Sequence, residues 1–235
     1  MTTERIKAGS YSRLSDFEKC KYRAFLKYVQ KVPEPERPLP PGKTEHANDR
    51  GTRVHKAGEL YIQGGVELVP ELEPLRGEYE RLRQLYGEGK VSVEGEWGFD
   101  RDWSPVAWFS ENVFVRMKLD VMVARSETEA TVVDLKTGKR RGNEVKHTDQ
   151  GIQYQLGTFL RYPKLQTIDV EFWYPDVDDL HRVTYSRKQG MQHYQRTNDR
   201  YVRMMDCTEF PPQPSIFTCK WCPYRGNACL HGVGA

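Results

Sequence analysis

Leu119-Asp120, followed by Val132-Val133-Asp134-Leu135-Lys136, decides how this chain reads: an acid on one β-rich segment and Asp-x-Lys on the next. If residues 113–135 form a hairpin with its tip at Ser126-Glu127-Thr128, pairing centres on Glu127. Asp120 then falls opposite Asp134, because each lies seven residues from that centre. Side chains alternate along a strand, so Asp134 and Lys136 share a face, and a cross-strand Asp120 joins them. Two carboxylates at that separation repel unless a cation lies between them. Hard oxygen ligands of this kind suit Mg²⁺ or Mn²⁺. Such an ion polarises a phosphate and acidifies bound water, while Lys136 orients that water or stabilises charge on the phosphate oxygens. The plain alternative is an exposed strand on which Asp134 merely pairs with Lys136. Val121-Met122-Val123 and Val132-Val133 speak against it, because they look buried and a buried carboxylate needs a partner.

Around the hairpin the pattern changes from helical to β and back. Ser15-x-x-Glu18 reads as a capping box, with Phe17, Cys20, Phe25, Leu26 and Val29 behind it at helical spacing. Residues 33–42 hold five prolines and read as a linker or extended loop. Helices are expected from Asn48-Asp49 to about Gln63 and over residues 71–86. Strands are expected around Val91 and Val93, over 114–123, 130–135 and 167–174, and briefly over 183–186. A helix is expected over 149–161. A long one is marked by Met191, Tyr194, Asn198, Tyr201 and Met205, and prolines 211, 212 and 214 end it. There is no internal repeat. The order predicts an α/β core with a mixed sheet.

With 235 residues, 37% hydrophobic and 29% charged, the chain suits one large domain, or one domain with a helical appendage, and a very polar surface. The net charge of +3 permits a nucleic-acid partner without requiring one. Lys and Arg gather in residues 19–31, 136–141 and 182–203, and acids dominate 67–102. These runs read either as solvated helix faces or as phosphate tracks. No run of about 18 apolar residues exists, and Met1-Thr2-Thr3-Glu4 is polar, so a cytoplasmic protein with no membrane partner is expected. Thr137-Gly138-Lys139 lacks the upstream glycine of a phosphate-binding loop, so no ATPase motor is expected.

Two further clusters carry chemistry. His55 and Glu59 are four apart on one predicted helix and share a face, beside a packing stripe of Val54, Ala57 and Tyr61. A helical histidine is more often a surface or core residue than a ligand. Gly58 would allow another backbone to come close to His55. Cys219-Lys220-Trp221-Cys222, with Cys229 seven positions beyond, supplies three thiolates of a soft-metal site. The fourth ligand is open among Cys20, Cys207 and His231. Zinc and an iron–sulfur cluster both suit four cysteines.

In combination these motifs resemble the RecB-like nucleases of the PD-(D/E)XK superfamily. The likeness is greatest to the iron–sulfur subgroup that includes the AddB nuclease domain, the CRISPR-associated RecB-like exonucleases and stand-alone phage relatives. It runs from Tyr11 to Cys229. Tyr11-Ser12-x-Leu14-x-x-Phe17-Glu18-x-Cys20 resembles the family's N-terminal cysteine helix, with Lys21 where a proline is usual. Gly51-x-x-Val54-His55-x-x-x-Glu59 resembles its metal-histidine helix, and Asp120 with Asp134-Leu135-Lys136 its catalytic acid and D-x-K. Gln150-Gly151-Ile152-Gln153-Tyr154 resembles its Q-x-x-x-Y helix, and Cys219, Cys222 and Cys229 its C-terminal triplet.

The resemblance implies a restriction-endonuclease-like α/β core, its mixed central sheet flanked by helices, with a helical region bound to iron–sulfur at the two termini. It implies one nuclease domain over 1–235: an N-terminal helical part to 90, a catalytic core over 91–186, and a C-terminal helix with the cysteines. His55, Asp120, Asp134 and the Leu135 carbonyl would hold Mg²⁺ or Mn²⁺. Lys136, Gln150 and Tyr154 would complete the catalytic group. Cys20 would join Cys219, Cys222 and Cys229 around a structural 4Fe–4S cluster, leaving Cys207 free. The implied activity is exonucleolytic hydrolysis of DNA, on single strands or ends. Recombination, replication or CRISPR-adaptation proteins are the implied partners. The rival readings are a catalytically silent DNA-binding accessory of the same fold and a zinc-knuckle interaction protein.

Overall fold

The computed structural model describes residues 4–138 and 140–234. The first three residues of the polar N-terminus lie outside that range. So does Lys139, which belongs to the basic run 136–141 and to the Thr-Gly-Lys stretch. In chain order the elements are α1 (Tyr11–Lys19), α2 (Lys21–Ala24), α3 (Ala47–Ile62), α4 (Arg76–Gly87), β1 (Val91–Phe99), β2 (Pro105–Val106), β3 (Val115–Ala124) and β4 (Glu129–Leu135). They continue with α5 (Glu144–Arg161), β5 (Thr167–Tyr174), β6 (Asp179–Ser186), α6 (Arg187–Met191), α7 (Tyr194–Met205) and α8 (Ile216–Cys219). The strands pair in the order β2-β1-β3-β4-β5-β6. β4 and β5 run parallel, while β3–β4 and β5–β6 are antiparallel, so the sheet is mixed as expected.

The chain forms two compact units. One comprises Leu39–Trp97 and Met117–Tyr194; the other takes the N-terminal residues through Pro38, Gly98–Arg116 and the chain from Gln195 onward. In the first unit, Val54, Tyr61 and Ile62 of α3 and Tyr79 and Leu82 of α4 share a core with Val121, Val123, Val133, Leu135 and Trp173 of the sheet. β4 is buried from Ala130 to Leu135, which is why its sequence is continuously apolar apart from Thr131 and Asp134. On α5, a Cβ at Gly151 would stand only 3.1 Å from the Phe172 ring, so glycine lets that helix lie close against β5.

In the second unit, Asp16 inside α1 is 8% exposed; it accepts from Tyr28 Oη at 2.7 Å and pairs with Arg23 at 3.0 Å. Trp103 and Tyr201 meet edge-on at 5.8 Å, and the Trp103 indole N–H donates to Asn198.

Several boundaries differ from the sequence reading. Ser10, not Ser15, caps the first helix, its hydroxyl accepting from the Arg13 N–H. Ser15 lies inside α1. The expected continuous helix to Val29 breaks at Cys20, whose backbone is extended, and resumes as α2 and a π-helical turn over Phe25–Val29. The helix expected over 71–86 opens as a 3-10 turn, Pro70–Leu75, because Pro74 inside it cannot donate an α-helical bond. α5 starts at Glu144, a turn before the expected 149. β6 is longer than 183–186 because it pairs with β5 along its whole length. The long C-terminal helix is two: a capping box of Ser186 and Gln189 starts α6, and α7 follows separately.

Candidate active site

The hairpin register matches the sequence reading: Val121 pairs with Val133 and Ala124 with Ala130, a ladder centred on Glu127. Beyond Val121–Val133, a side chain takes over. The Leu135 N–H donates to Asp120 Oδ2 at 2.8 Å, and the same oxygen lies 3.2 Å from His55 Nδ1 on α3. Asp134 is hydrogen-bonded to α5. Its Oδ1 accepts from Tyr154 Oη at 3.0 Å and from Gln150 Nε2 at 3.4 Å. Its Oδ2 forms an ion pair with the Lys136 ammonium but receives no hydrogen bond of proper geometry. Lys136 Nζ also donates to Gln150 Oε1 at 2.9 Å, and Gln150 Nε2 to Tyr154 Oη at 2.6 Å. The two carboxylates are near enough for the charge of Asp120 to act on Asp134. Asp120 has its partners in His55 of α3 and the Leu135 N–H, and Asp134 has its partners on α5.

The electrostatics follow from burial. Asp134 is 2% exposed, and burial pushes its carboxyl above the usual range; the Lys136 ammonium opposes this and Asp120 adds to it. Tyr154 is driven well above the usual phenol range, first by burial and then by the charges of Asp134 and Asp120, so its hydroxyl stays protonated and donates. For His55, burial acts against the charged ring, but the hydrogen bond and charge of Asp120, with the charge of Asp134, outweigh it and raise the pKa.

His55, Asp120 and Leu135 line one small pocket together with Glu59 and Glu94. Gly58 lines it too, but what comes close there is a side chain and not the expected backbone: a Cβ would stand 2.9 Å from the Tyr79 hydroxyl. The sequence reading did not single out Glu94. It adopts φ 50 within β1 and pairs with Lys118. The Glu94-Gly95-Glu96 stretch held the signal, since a glycine inside a strand pattern marks a local break. The buried pair His147 Nδ1 and Tyr174 Oη, 2.6 Å apart, was missed as well. Burial lowers the His147 pKa to about 4, with Lys136 adding to the effect.

Among the described residues, no three His, Cys, Asp or Glu side chains already form a metal cage. The donor chemistry nonetheless fits a hard divalent ion. Asp134 Oδ2 is buried without a hydrogen bond and balanced only by an ammonium, while Asp120 and His55 stand in contact with each other.

The cysteines lie in the other unit. Cys20, Cys219, Cys222, Cys229 and His231 line a single pocket. Cys207 is not part of that lining; its thiol donates to the Glu209 carbonyl at 3.0 Å. All five cysteines are free thiols. A backbone hydrogen bond at Val233 pulls the Cys219 thiol down, whereas burial pushes Cys222 up, with Cys229 and Cys20 adding to the rise. Four thiols along one pocket are donors of the kind that suit a soft metal or an iron–sulfur centre, although among the described residues they do not already form a cage. Among the described residues, no helix is long and apolar enough to cross a membrane.

Residues 8–229 match the PD-(D/E)XK nuclease superfamily. No curated protein sequence matches. Among solved structures, the protein SSO0001 is similar at 12% identity, with 93% of this chain and 84% of that one covered and a TM-score of 0.50. A putative exonuclease from Eubacterium rectale is similar at 13% identity, with 94% and 86% covered and a TM-score of 0.53. At such identities the likeness is one of fold.

Proposed function

Since this chain belongs to the PD-(D/E)XK nuclease superfamily, we propose that it is a metal-dependent deoxyribonuclease, an exonuclease on single strands or DNA ends, of the RecB-like iron–sulfur subgroup. It works as one nuclease domain. The observation that carries this reading is Asp134: a carboxylate 2% exposed, gripped by Tyr154, Gln150 and Lys136, with Asp120 and His55 close by. A buried acid with that many polar partners costs stability that an ordinary strand residue would not require.

Asp120, Asp134, His55 and the Leu135 carbonyl would hold Mg²⁺ or Mn²⁺, which supplies charge neutralisation at the phosphate and a water of lowered pKa. Tyr154 and Gln150 fix the Asp134 carboxylate through Oδ1 and leave Oδ2 facing Lys136. Lys136, itself oriented by Gln150, presents its ammonium to the attacking water or to the phosphate oxygens. The basic runs guide the DNA backbone. Cys20, Cys219, Cys222 and Cys229 would hold a structural 4Fe–4S cluster, which takes no part in hydrolysis. A catalytically silent accessory is disfavoured, because a retired site has no physical need for Asp120, Asp134 and Lys136 together.

The test is a cleavage assay on end-labelled and circular single-stranded DNA, with wild type and Asp134→Ala. Wild type should degrade the linear substrate with Mg²⁺ or Mn²⁺. Asp134→Ala should bind DNA but not cut it. Variant activity within about tenfold of wild type would refute the site, since loss of a metal ligand costs far more than that.

A further inference from the structure

The strongest charged feature outside the candidate active site is a groove of about 870 Å3 in the cysteine-bearing unit. It is lined by five cations, Arg5, Lys7, Arg13, Lys31 and Arg116, against two carboxylates, Glu4 and Glu111. Its size falls within the range of about 300–1,000 Å3 typical of ligand clefts.

The cations are arrayed rather than scattered. Residues 4–8 alternate: Ile6 and Ala8 are buried at 1% and 3% exposure, which leaves Arg5 and Lys7 on the groove side. Lys31 follows the π-helical turn Phe25–Val29 and is held at φ 54, a left-handed conformation unusual for lysine. Arg13 donates to the Ala8 carbonyl at 2.6 Å and lies 5.2 Å over the Tyr28 ring. Arg116 donates to the Trp108 carbonyl at 2.8 Å. The two guanidinium groups are fixed by neutral partners and sense each other's charge, which adds to burial in lowering the Arg13 pKa.

Elsewhere on the protein many cations have acids to meet, as Arg53 meets Glu45 and Glu71, and Arg200 meets Glu18. Arg5, Lys7 and Lys31 form no ion pair with any described residue. A groove in which unneutralised cations face one another is stabilised by an extended anion. An unpaired base also has somewhere to go. Phe109 is 83% exposed and lies against Arg116, whose guanidinium stands 5.7 Å from its ring and 5.3 Å from that of Trp108. Phe109 is not part of the groove lining, but Arg116 joins it to the groove, and cations with an arginine-backed exposed ring nearby are the chemistry of single-strand binding: phosphates on the charges, bases on the ring.

We propose that this groove is a binding track for single-stranded DNA, with the phosphates carried by Arg5, Lys7 and Lys31 and a base stacked on Phe109. The identity of the polyanion rests on the DNA-nuclease reading; the groove's charge and shape do not.

The test measures binding of a labelled oligothymidylate to the full-length protein without divalent ion, across about 50–200 mM salt. Removing three single-strand phosphate contacts in Arg5→Gln/Lys7→Gln/Lys31→Gln should weaken binding and flatten the log–log salt slope by about 2. Phe109→Ala should weaken binding by about fivefold or more at every salt concentration and leave the slope unchanged. Arg76→Gln/Arg81→Gln, on α4, should leave both quantities at wild-type values. Should the triple variant not fold, Lys7→Gln and Lys31→Gln singly should each flatten the slope by about 0.7.

Wild-type affinity and slope in the groove variants would overturn the proposal, and so would a wild type that binds no single strand. Duplex bound as tightly as single strand, with no effect of Phe109→Ala, would overturn the stacking assignment. Cleavage, measured separately with Mn²⁺, keeps the two readings apart. A wild type that binds through the groove but cuts nothing sinks the nuclease and leaves the track; variants that bind normally sink the track whatever is cut.

Discussion

Replacing Lys136 with methionine should turn the buried carboxylate of Asp134 against the fold. Asp134 is 2% exposed and the Lys136 side chain 19%, so the pair is largely removed from water. Methionine preserves much of the aliphatic stem but leaves Asp134 Oδ2 with neither an ion pair nor a hydrogen bond. Breaking one partner of a buried ion pair costs about 3–5 kcal/mol. The partial exposure of Lys136 and the surviving bonds from Tyr154 and Gln150 place this site near the lower end, at about 3 kcal/mol. In a chain of this size that is a fall in Tm of roughly 6–12 °C. In Asp134→Asn/Lys136→Met the charge is gone, and most of the loss should be recovered. The deficit of the single variant should also shrink as pH falls, because burial raises the Asp134 pKa and protonation removes the unpaired charge. Mn²⁺ should restore the single variant: at a hundred times Kd, binding to the native state contributes about 2.7 kcal/mol. The assay is thermal unfolding of wild type, single and double variants with and without Mn²⁺. If Lys136→Met melts with wild type, or if Mn²⁺ stabilises it no more than the double variant, the argument that a cation belongs against Asp134 is wrong.

Three further outcomes follow from the same geometry. His55→Ala should weaken Mn²⁺ binding in calorimetric titration by more than it lowers the unfolding temperature; equal affinities would leave His55 as only a hydrogen-bond partner of Asp120. Cys20→Ser and Cys222→Ser should lose bound iron and melt earlier, since a shared centre closes a loop of about 200 residues, whereas Cys207→Ser should keep both; iron retained in Cys20→Ser and lost in Cys207→Ser would reverse the ligand assignment. His147, with its pKa lowered to about 4, is neutral in the fold while an unfolded histidine takes up a proton near its ordinary value of about 6.5. Stability should therefore be intact above that ordinary value and fall as pH drops toward 4, and His147→Gln should flatten this slope in denaturant titrations, an unchanged slope disproving the assignment.

What could be read along the chain and what could not divide along a physical line. The register of the hairpin was legible because it follows from a short turn and a period of two, and Val121–Val133 falls where a centre on Glu127 puts it. α3 was legible from periodicity, whereas only family resemblance could put Cys20 beside Cys219, Cys222 and Cys229, with which it lines one pocket, since nothing local links residues so far apart. The first helix was misread because Ser10 and Ser15 both precede plausible helical stretches; capping goes to the serine whose backbone is extended, and Ser10 is held there beside Gly9, which bridges to Val115. The atoms that Asp120 and Asp134 bond to were illegible for a related reason. A cross-strand rule places side chains on a face but does not say which donors they meet. At Leu135 the donor is met by the Asp120 carboxylate. Asp134 is in turn claimed by Tyr154 and Gln150 on α5, where Gly151 leaves Phe172 room. Spacing along the chain selects the residue types at such a site. Which atoms meet is decided by how a helix docks on the sheet, and at Gly151 a Cβ would crowd Phe172 and Val170.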